Sequence, residues 1–256
     1  MYSNGVSRLH TLDKSKKLVT YVMGGDPTIE ESLQTLKTLA DNGADIIELG
    51  MPFSDPMADG KTIQAAAKRV LANNTNLDDV LNLLAEFRKT HTHTPVILMG
   101  YLNPVLYYGL DKFFAKAQNV GVDGLLIVDL PLEESAELEA HSDKFDIPLI
   151  RLVAPTTKGE RLKSILSKAK GFVYIISIAG VTGTKEIEFD NVKQQVAQVR
   201  KLSDIPIAVG FGIKTPTQAA QAAELADYVV IGSAIIDKMS DNQRLQEFVK
   251  EVKKSV

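Results

Sequence analysis

Three carboxylates, Glu48, Asp55 and Asp59, fall within 12 residues of one another. Glu48 lies near the end of the apolar run Asp45–Leu49, and both aspartates follow in the loop Gly50-Met51-Pro52-Phe53-Ser54-Asp55-Pro56-Met57-Ala58-Asp59-Gly60. A carboxyl at the end of a buried strand loses its water. That disfavours the charged form and lifts its pKa toward the range useful for general acid–base work. Residues two apart on a strand share a face, so Ile46 and Glu48 point one way and Ile47 and Leu49 the other. Parity leaves both phases open: Glu48 facing an interior, or Glu48 against a helical layer with Leu49 inside. Two prolines stiffen the loop that follows, although Asp55-Pro56 and Asp59-Gly60 also read as plain turn dipeptides. A metal site is not expected, because no histidine is near and loops that hold hard cations rarely carry two prolines.

Other candidates sit at the ends of later apolar runs. Asp129 follows Val128 and is either another rim carboxylate or a loop tether before Leu130-Pro131. Tyr174 lies within Phe172–Ile176 and is either a core tyrosine with a satisfied hydroxyl or a site residue. Three glycine motifs come next: Ala179-Gly180-Val181-Thr182-Gly183, Gly210-Phe211-Gly212-Ile213 and Gly232-Ser233-Ala234. Glycine lets backbone N–H groups approach an anion, a helix N-terminus adds partial positive charge, and Ser233 supplies a hydroxyl. The last two motifs predict a phosphate-bearing substrate. His91 and His93 read as exposed polar residues in a Thr-rich connector, and Tyr101, Asn103, Pro104, Tyr107 and Tyr108 as an aromatic patch belonging to the core or to a partner surface.

The elements that must position these residues alternate regularly. Short β-rich runs occur at Leu18–Met23, Asp45–Leu49, Pro95–Met99, Gly124–Val128, Ile147–Val153, Phe172–Ile176, Pro206–Val209 and Tyr228–Ile231, each reading as a buried parallel strand. Helical spacing fills the gaps. Thr28 and Glu31 predict a capping box for a helix stopping at Asn42-Gly43, Thr157 and Glu160 a second box, and Thr215-Pro216 a cap with proline in the first turn. Eight strands each followed by helix predict an α/β fold, a single (β/α)8 barrel over residues 1–256 with a short N-terminal helical extension. The long gap after the second strand holds the acidic loop and helices near Thr62–Ala72 and Leu77–Lys89; the one after the sixth holds Ser177–Glu188. Long loops after strands belong to a barrel's catalytic face. The segment Asn42-Gly43-Ala44-Asp45 echoes Val120-Gly121-Val122-Asp123, which reads as a common αβ-loop solution without functional content.

Composition narrows the function classes. The 256 residues are 45% hydrophobic and 24% charged, which excludes a disordered chain. With no cysteine, disulfides, thiolate metal sites and a cysteine nucleophile are ruled out. A net charge of −3 argues against a generic electrostatic hold on nucleic acid. No apolar run approaches the roughly 18 residues of a membrane span, and Met1–Lys17 lacks the pattern of a secretory leader. These features predict a soluble, cytoplasmic protein.

The run Glu48-Leu49-Gly50-Met51-Pro52-Phe53-Ser54-Asp55-Pro56-Met57-Ala58-Asp59-Gly60-Lys61-Thr62-Ile63-Gln64 resembles the tryptophan synthase α-subunit family, which shows E-L-G-x-P-F-S-D-P-x-A-D-G-x-x-I-Q here. Further matches cover almost the whole chain: Gly25-Asp26-Pro27, Gly121-Val122-Asp123-Gly124, Gly180-Val181-Thr182-Gly183, Gly210-Phe211-Gly212-Ile213 and Gly232-Ser233-Ala234. The resemblance implies a TIM barrel that cleaves indole-3-glycerol phosphate to indole and glyceraldehyde 3-phosphate. It implies no cofactor in this chain and an α2β2 complex with a pyridoxal-phosphate β subunit. By the same resemblance Glu48 is the general acid/base, Asp59 the carboxylate on the indole N–H, and Tyr174 an active-site tyrosine. Gly183, Gly212, Gly232 and Ser233 match phosphate-binding positions, and Tyr21 and Phe211 lie near the indole pocket. Thr182 belongs to a mobile lid and engages the catalytic aspartate on closing, while Pro52, Asp55 and Asn103 lie in segments facing the β subunit. Ile178 and Ala179, Ala154-Pro155-Thr156-Thr157 and Met23-Gly24 depart from the commonest family forms, which bears on the lid and on coupling to β more than on the chemistry. A stand-alone indole-releasing lyase, and a catalytically weak chain acting mainly as a β-subunit activator, are the alternatives.

Overall fold

The computed structural model describes residues 7–13, 15–176, 189–210 and 212–256. A 3-10 turn, Arg8–Thr11, precedes β1 (Lys17–Met23) and α1 (Ile29–Asp41). There follow β2 (Ile46–Gly50), α2 (Lys61–Ala72), α3 (Leu77–Arg88), β3 (Val96–Gly100), α4 (Leu102–Tyr108), α5 (Leu110–Val120) and β4 (Gly124–Ile127). The second half runs through α6 (Ala136–Phe145), β5 (Arg151–Val153), α7 (Gly159–Lys168), β6 (Val173–Ile176), α8 (Phe189–Arg200), β7 (Ile207–Gly210), α9 (Pro216–Leu225), β8 (Tyr228–Ile231), α10 (Ser233–Ile236) and α11 (Asn242–Ser255).

The strands form one eight-stranded parallel sheet in the order β4-β3-β2-β1-β8-β7-β6-β5. Its two edges meet: Leu125 of β4 pairs with Leu149, receiving the Ile150 N–H at 2.9 Å and donating to the Pro148 carbonyl at 2.9 Å. Closure removes both free edges, as the (β/α)8 reading requires. The run expected as a strand from Ile147 is ladder-paired only from Arg151, because the contact with β4 is a single bridge.

Side chains divide by parity. Val19, Tyr21, Met23, Ile46, Ile97, Met99, Leu126, Tyr174, Ala208 and Val230 fill the barrel, while Leu18, Val22, Ile47, Leu49, Leu98 and Leu125 pack against the helices. The N-terminal turn closes the lower end, where Leu9 joins the interior cluster and the Ser7 hydroxyl donates to the Asp123 carbonyl at 2.6 Å.

The caps agree with the sequence in part. Thr28 caps α1 by accepting the Glu31 N–H at 3.2 Å, but its hydroxyl donates to the Glu31 carboxylate, so the reciprocal half of the box is not made. Thr215 caps α9 with Pro216 in the first turn. The box expected at Thr157 does not form. The Thr157 hydroxyl accepts the Ala154 N–H at 3.2 Å, tightening the loop after β5, and Lys158 stands at the N-cap without a side-chain bond. Asn76 and Asp79 make a complete capping box for α3.

The echo around Asp45 and Asp123 has a structural cause that extends to Asp227. Each aspartate stands immediately before an even-numbered strand and accepts the backbone N–H at the start of the strand before: Asp45 from Leu18 at 2.7 Å, Asp123 from Val96 at 2.8 Å and Asp227 from Ile207 at 2.8 Å. Each also holds a cation: Lys253, Arg88 and Arg200 respectively. The device fixes strand register at the lower end of the barrel.

Candidate active site

Strand register puts Glu48 beside Tyr21 of β1 and Ile97 of β3. Ile46, on the same face, packs inside the barrel, whereas Ile47 and Leu49 pack against the helices. The phase left open by parity is therefore inward. Glu48 is 0% exposed and neither carboxyl oxygen meets a hydrogen-bond partner among the described residues. Burial pushes its pKa up to about 8, because no cation or donor among the described residues compensates the desolvated charge. At neutral pH it carries a proton.

Asp59 comes from the loop after β2, where its N–H bonds the Pro56 carbonyl at 3.1 Å and its carbonyl accepts from Gln64 of α2 at 2.8 Å. The carboxyl is buried and pushed up to about 6 by burial, against the opposing effect of a hydrogen bond from the Tyr101 hydroxyl. Tyr101 also accepts the Ala58 N–H at 2.9 Å and packs on Phe53 with ring centroids 5.3 Å apart. It thus ties the proline loop to the end of β3. The sequence reading left Tyr101 in an aromatic patch, although Ile97, Met99 and Tyr101 share one face by simple alternation.

Tyr174 of β6 is buried inside the barrel, and burial with the neighbouring Glu48 holds its hydroxyl well above the usual phenol range. One pocket is lined by Tyr21, Glu48, Tyr174, Gly212, Gly232 and Ser233. Gly212 has φ +88°, open to glycine at no steric cost. The Gly232 carbonyl accepts the Ile235 and Ile236 N–H groups at 2.8 and 3.1 Å, so α10 begins here. Its first N–H groups have no intrahelical acceptor and are available to an anion.

A wider crevice of about 770 Å³ is lined by Met57, Ala58, Val128, Arg151, Leu152 and Ile176 and shares no lining residue with this pocket. Asp55 is exposed and bonded to Ser54, away from Glu48's pocket. Asp129 is exposed and accepts the Leu102 N–H at 2.9 Å, which is the tether reading. His91 is held by Asp41 at 3.1 Å and stacks on Phe87. Thr182, Gly183 and Phe211, together with Ile178 and Ala179, lie outside the described residues.

A closed (β/α)8 barrel whose C-terminal mouth joins a protonated buried carboxyl, a second carboxyl and a glycine-lined pocket defines an enzyme working by acid–base chemistry on a small molecule. The family Tryptophan synthase alpha chain matches residues 9–256. Curated relatives of that name include one from Caulobacter sp. (strain K31), 51% identical over 91% of this chain and 85% of its own length, and one from Phenylobacterium zucineum (strain HLK1), 52% identical over 90% and 83%. Among solved structures, tryptophan synthase subunit alpha from Legionella pneumophila str. Paris superposes with a TM-score of 0.90 at 39% identity, covering 98% of both chains. A chain in a Mycobacterium tuberculosis tryptophan synthase structure gives 0.91 at 33%, again covering 98% of both. The chain belongs to the tryptophan synthase alpha chain family.

Proposed function

We propose that Glu48 and Asp59 divide the labour of this chain's reaction, Glu48 moving the protons and Asp59 answering the charge. As a tryptophan synthase alpha chain it is a lyase of tryptophan biosynthesis that cleaves indole-3-glycerol phosphate to indole and glyceraldehyde 3-phosphate. The bond between indole C3 and the adjacent carbinol carbon breaks in a retro-aldol step. Neutral Glu48 gives its proton to C3, producing a cation delocalised onto the ring nitrogen. As the bond breaks, its electron pair returns to the ring and the carbinol O–H proton returns to Glu48, so protons balance over one turnover. Asp59, with a pKa near 6, is largely ionised at neutral pH and suited to accept the indole N–H as positive charge develops.

The observation that carries this reading is Glu48, wholly buried at the mouth with no hydrogen-bond partner among the described residues. Tyr174 contributes from the facing wall. Gly212, Gly232 and Ser233, which share Glu48's pocket, would take the phosphate. Thr182, Gly183, Phe211 and the ring of Tyr21 keep the lid, phosphate and indole roles that the family resemblance implies.

A β-subunit partner belongs to the same reading, with pyridoxal phosphate in that partner, no cofactor in this chain and α2β2 stoichiometry. Met57 (76% exposed), Leu106 (46%) and Tyr107 (95%) are large apolar side chains left in water on the two segments that also carry exposed Asp55 and Asn103. Exposed apolar side chains interspersed with polar ones suit a protein interface. Pro52 is buried and would support that surface from beneath. The chain is read as one domain acting in the cytoplasm. No described helix is long and apolar enough to cross a membrane.

The test is indole release from indole-3-glycerol phosphate by the full chain, alone and with β subunit added. Turnover that rises with β supports both parts; equal turnover removes the partner, and no indole under either condition removes the lyase reading.

A further inference from the structure

Of the phenols around the mouth, Tyr21 is the one whose hydroxyl has no hydrogen-bond partner among the described residues. Tyr101 bonds Ala58 and Asp59, and Tyr174 has its own interaction. The Tyr21 ring is 5% exposed, yet its hydroxyl makes no hydrogen bond to any described residue and faces the pocket that contains Glu48. A hydroxyl that lines a pocket without a protein partner is free to meet water or ligand there.

Its position is built. Tyr21 stands in register with Glu48, and its ring leans from the Gly232 side of the barrel across to β2, where a Cβ on Gly50 would lie 2.4 Å from the hydroxyl. Only glycine at position 50 leaves the phenol room. Gly50 follows Glu48 on the same strand face, about 7 Å further along, so the hydroxyl hangs over the Glu48 carboxyl at the level of the mouth. Burial first, and then the nearby Asp59 carboxylate, hold the phenol well above its usual range, so it stays protonated and a donor at neutral pH.

We propose that the Tyr21 hydroxyl recognises the hydroxylated three-carbon chain of the substrate, donating a hydrogen bond to the carbinol oxygen whose proton Glu48 removes. The inference rests on the lyase reading above and adds a specificity contact to it. In the bound substrate that oxygen is a hydroxyl, which accepts while donating to Glu48. In the product aldehyde it can only accept, so the contact from Tyr21 is kept as the bond breaks. No proton moves through Tyr21, and proton transfer stays with Glu48.

The experiment compares Tyr21→Phe with wild type on two ligands: indole-3-glycerol phosphate, and indole-3-propanol phosphate, which has the same ring and phosphate but no hydroxyl on the chain. Losing one good hydrogen bond predicts a fall of about tenfold in kcat/KM for the substrate, with the Kd of the analogue within twofold of wild type. Preserved analogue binding also reports that the variant pocket is folded. Substrate kcat/KM within twofold of wild type overturns the proposal, and so does an equal weakening of both ligands, which would assign Tyr21 to ring packing. No indole from the wild-type chain would instead remove the lyase reading, and this contact with it.

Discussion

At the lower end of the barrel Asp123 is fully buried and both its oxygens are occupied: Oδ1 accepts the Arg8 N–H at 2.8 Å and the Arg8 guanidinium at 2.9 Å, and Oδ2 accepts Arg88 at 2.6 Å and the Val96 N–H at 2.8 Å. At the upper end Glu48 is equally buried and has no hydrogen-bond partner among the described residues. The two carboxyls differ little in solvent and greatly in partners. Desolvation alone makes a group that holds its proton at neutral pH; two arginines and two backbone donors around a buried carboxyl make a clamp between strands. Arg88 completes the clamp by donating to the Gly121, His91 and Thr94 carbonyls. Within one barrel, the lower face uses a buried carboxyl for register and the upper face keeps one free for chemistry.

The contrast breaks most visibly at Glu48. Glu48→Gln should lower indole formation by 10³-fold or more, within the span seen for lost general acid–base groups, while the unfolding midpoint in urea does not fall. The wild-type carboxyl binds its proton more tightly folded than unfolded, so its contribution to stability declines as pH rises from about 4.5 to about 8. The variant should lack that decline. At the other end, Asp123→Ala should cost about 3–5 kcal/mol of unfolding free energy, since it leaves Arg88 buried without its counter-charge, yet turnover per folded molecule should stay near wild type. The smallest effect sharpens the comparison within the upper face. Tyr101→Phe removes the donor that opposes burial at Asp59, so the Asp59 pKa rises and the acidic limb of kcat/KM moves to higher pH, with a loss of about tenfold near neutrality. A pH profile unchanged from wild type would take Tyr101 out of the site.

The alternation of β-rich and helical runs made the barrel legible in the sequence, and the acidic proline loop drew attention to its mouth. What stayed hidden depended on choices made in three dimensions. Alternation could not decide whether Glu48 or Leu49 faced inward; that follows from the Tyr21, Glu48 and Ile97 register in a closed sheet. Thr157 matched a cap motif, but its hydroxyl was taken by the nearer Ala154 N–H. Asp123 looked like loop punctuation because the arginines that define it, Arg8 and Arg88, are 115 and 35 residues away. Tyr101 was visible only as an aromatic residue until the loop carrying Asp59 folded over it.

The central claim concerns one proton on one side chain, and it can be read without turnover. The full chain labelled with ¹³C at glutamate carboxyl carbons would be titrated by NMR, and the Glu48 resonance assigned by its absence from Glu48→Gln. A midpoint near 8 is predicted. A midpoint close to the ordinary glutamate value of about 4.3 would mean that Glu48 is ionised and compensated in solution, contradicting the account of Glu48 as a carboxyl buried without a partner among the described residues.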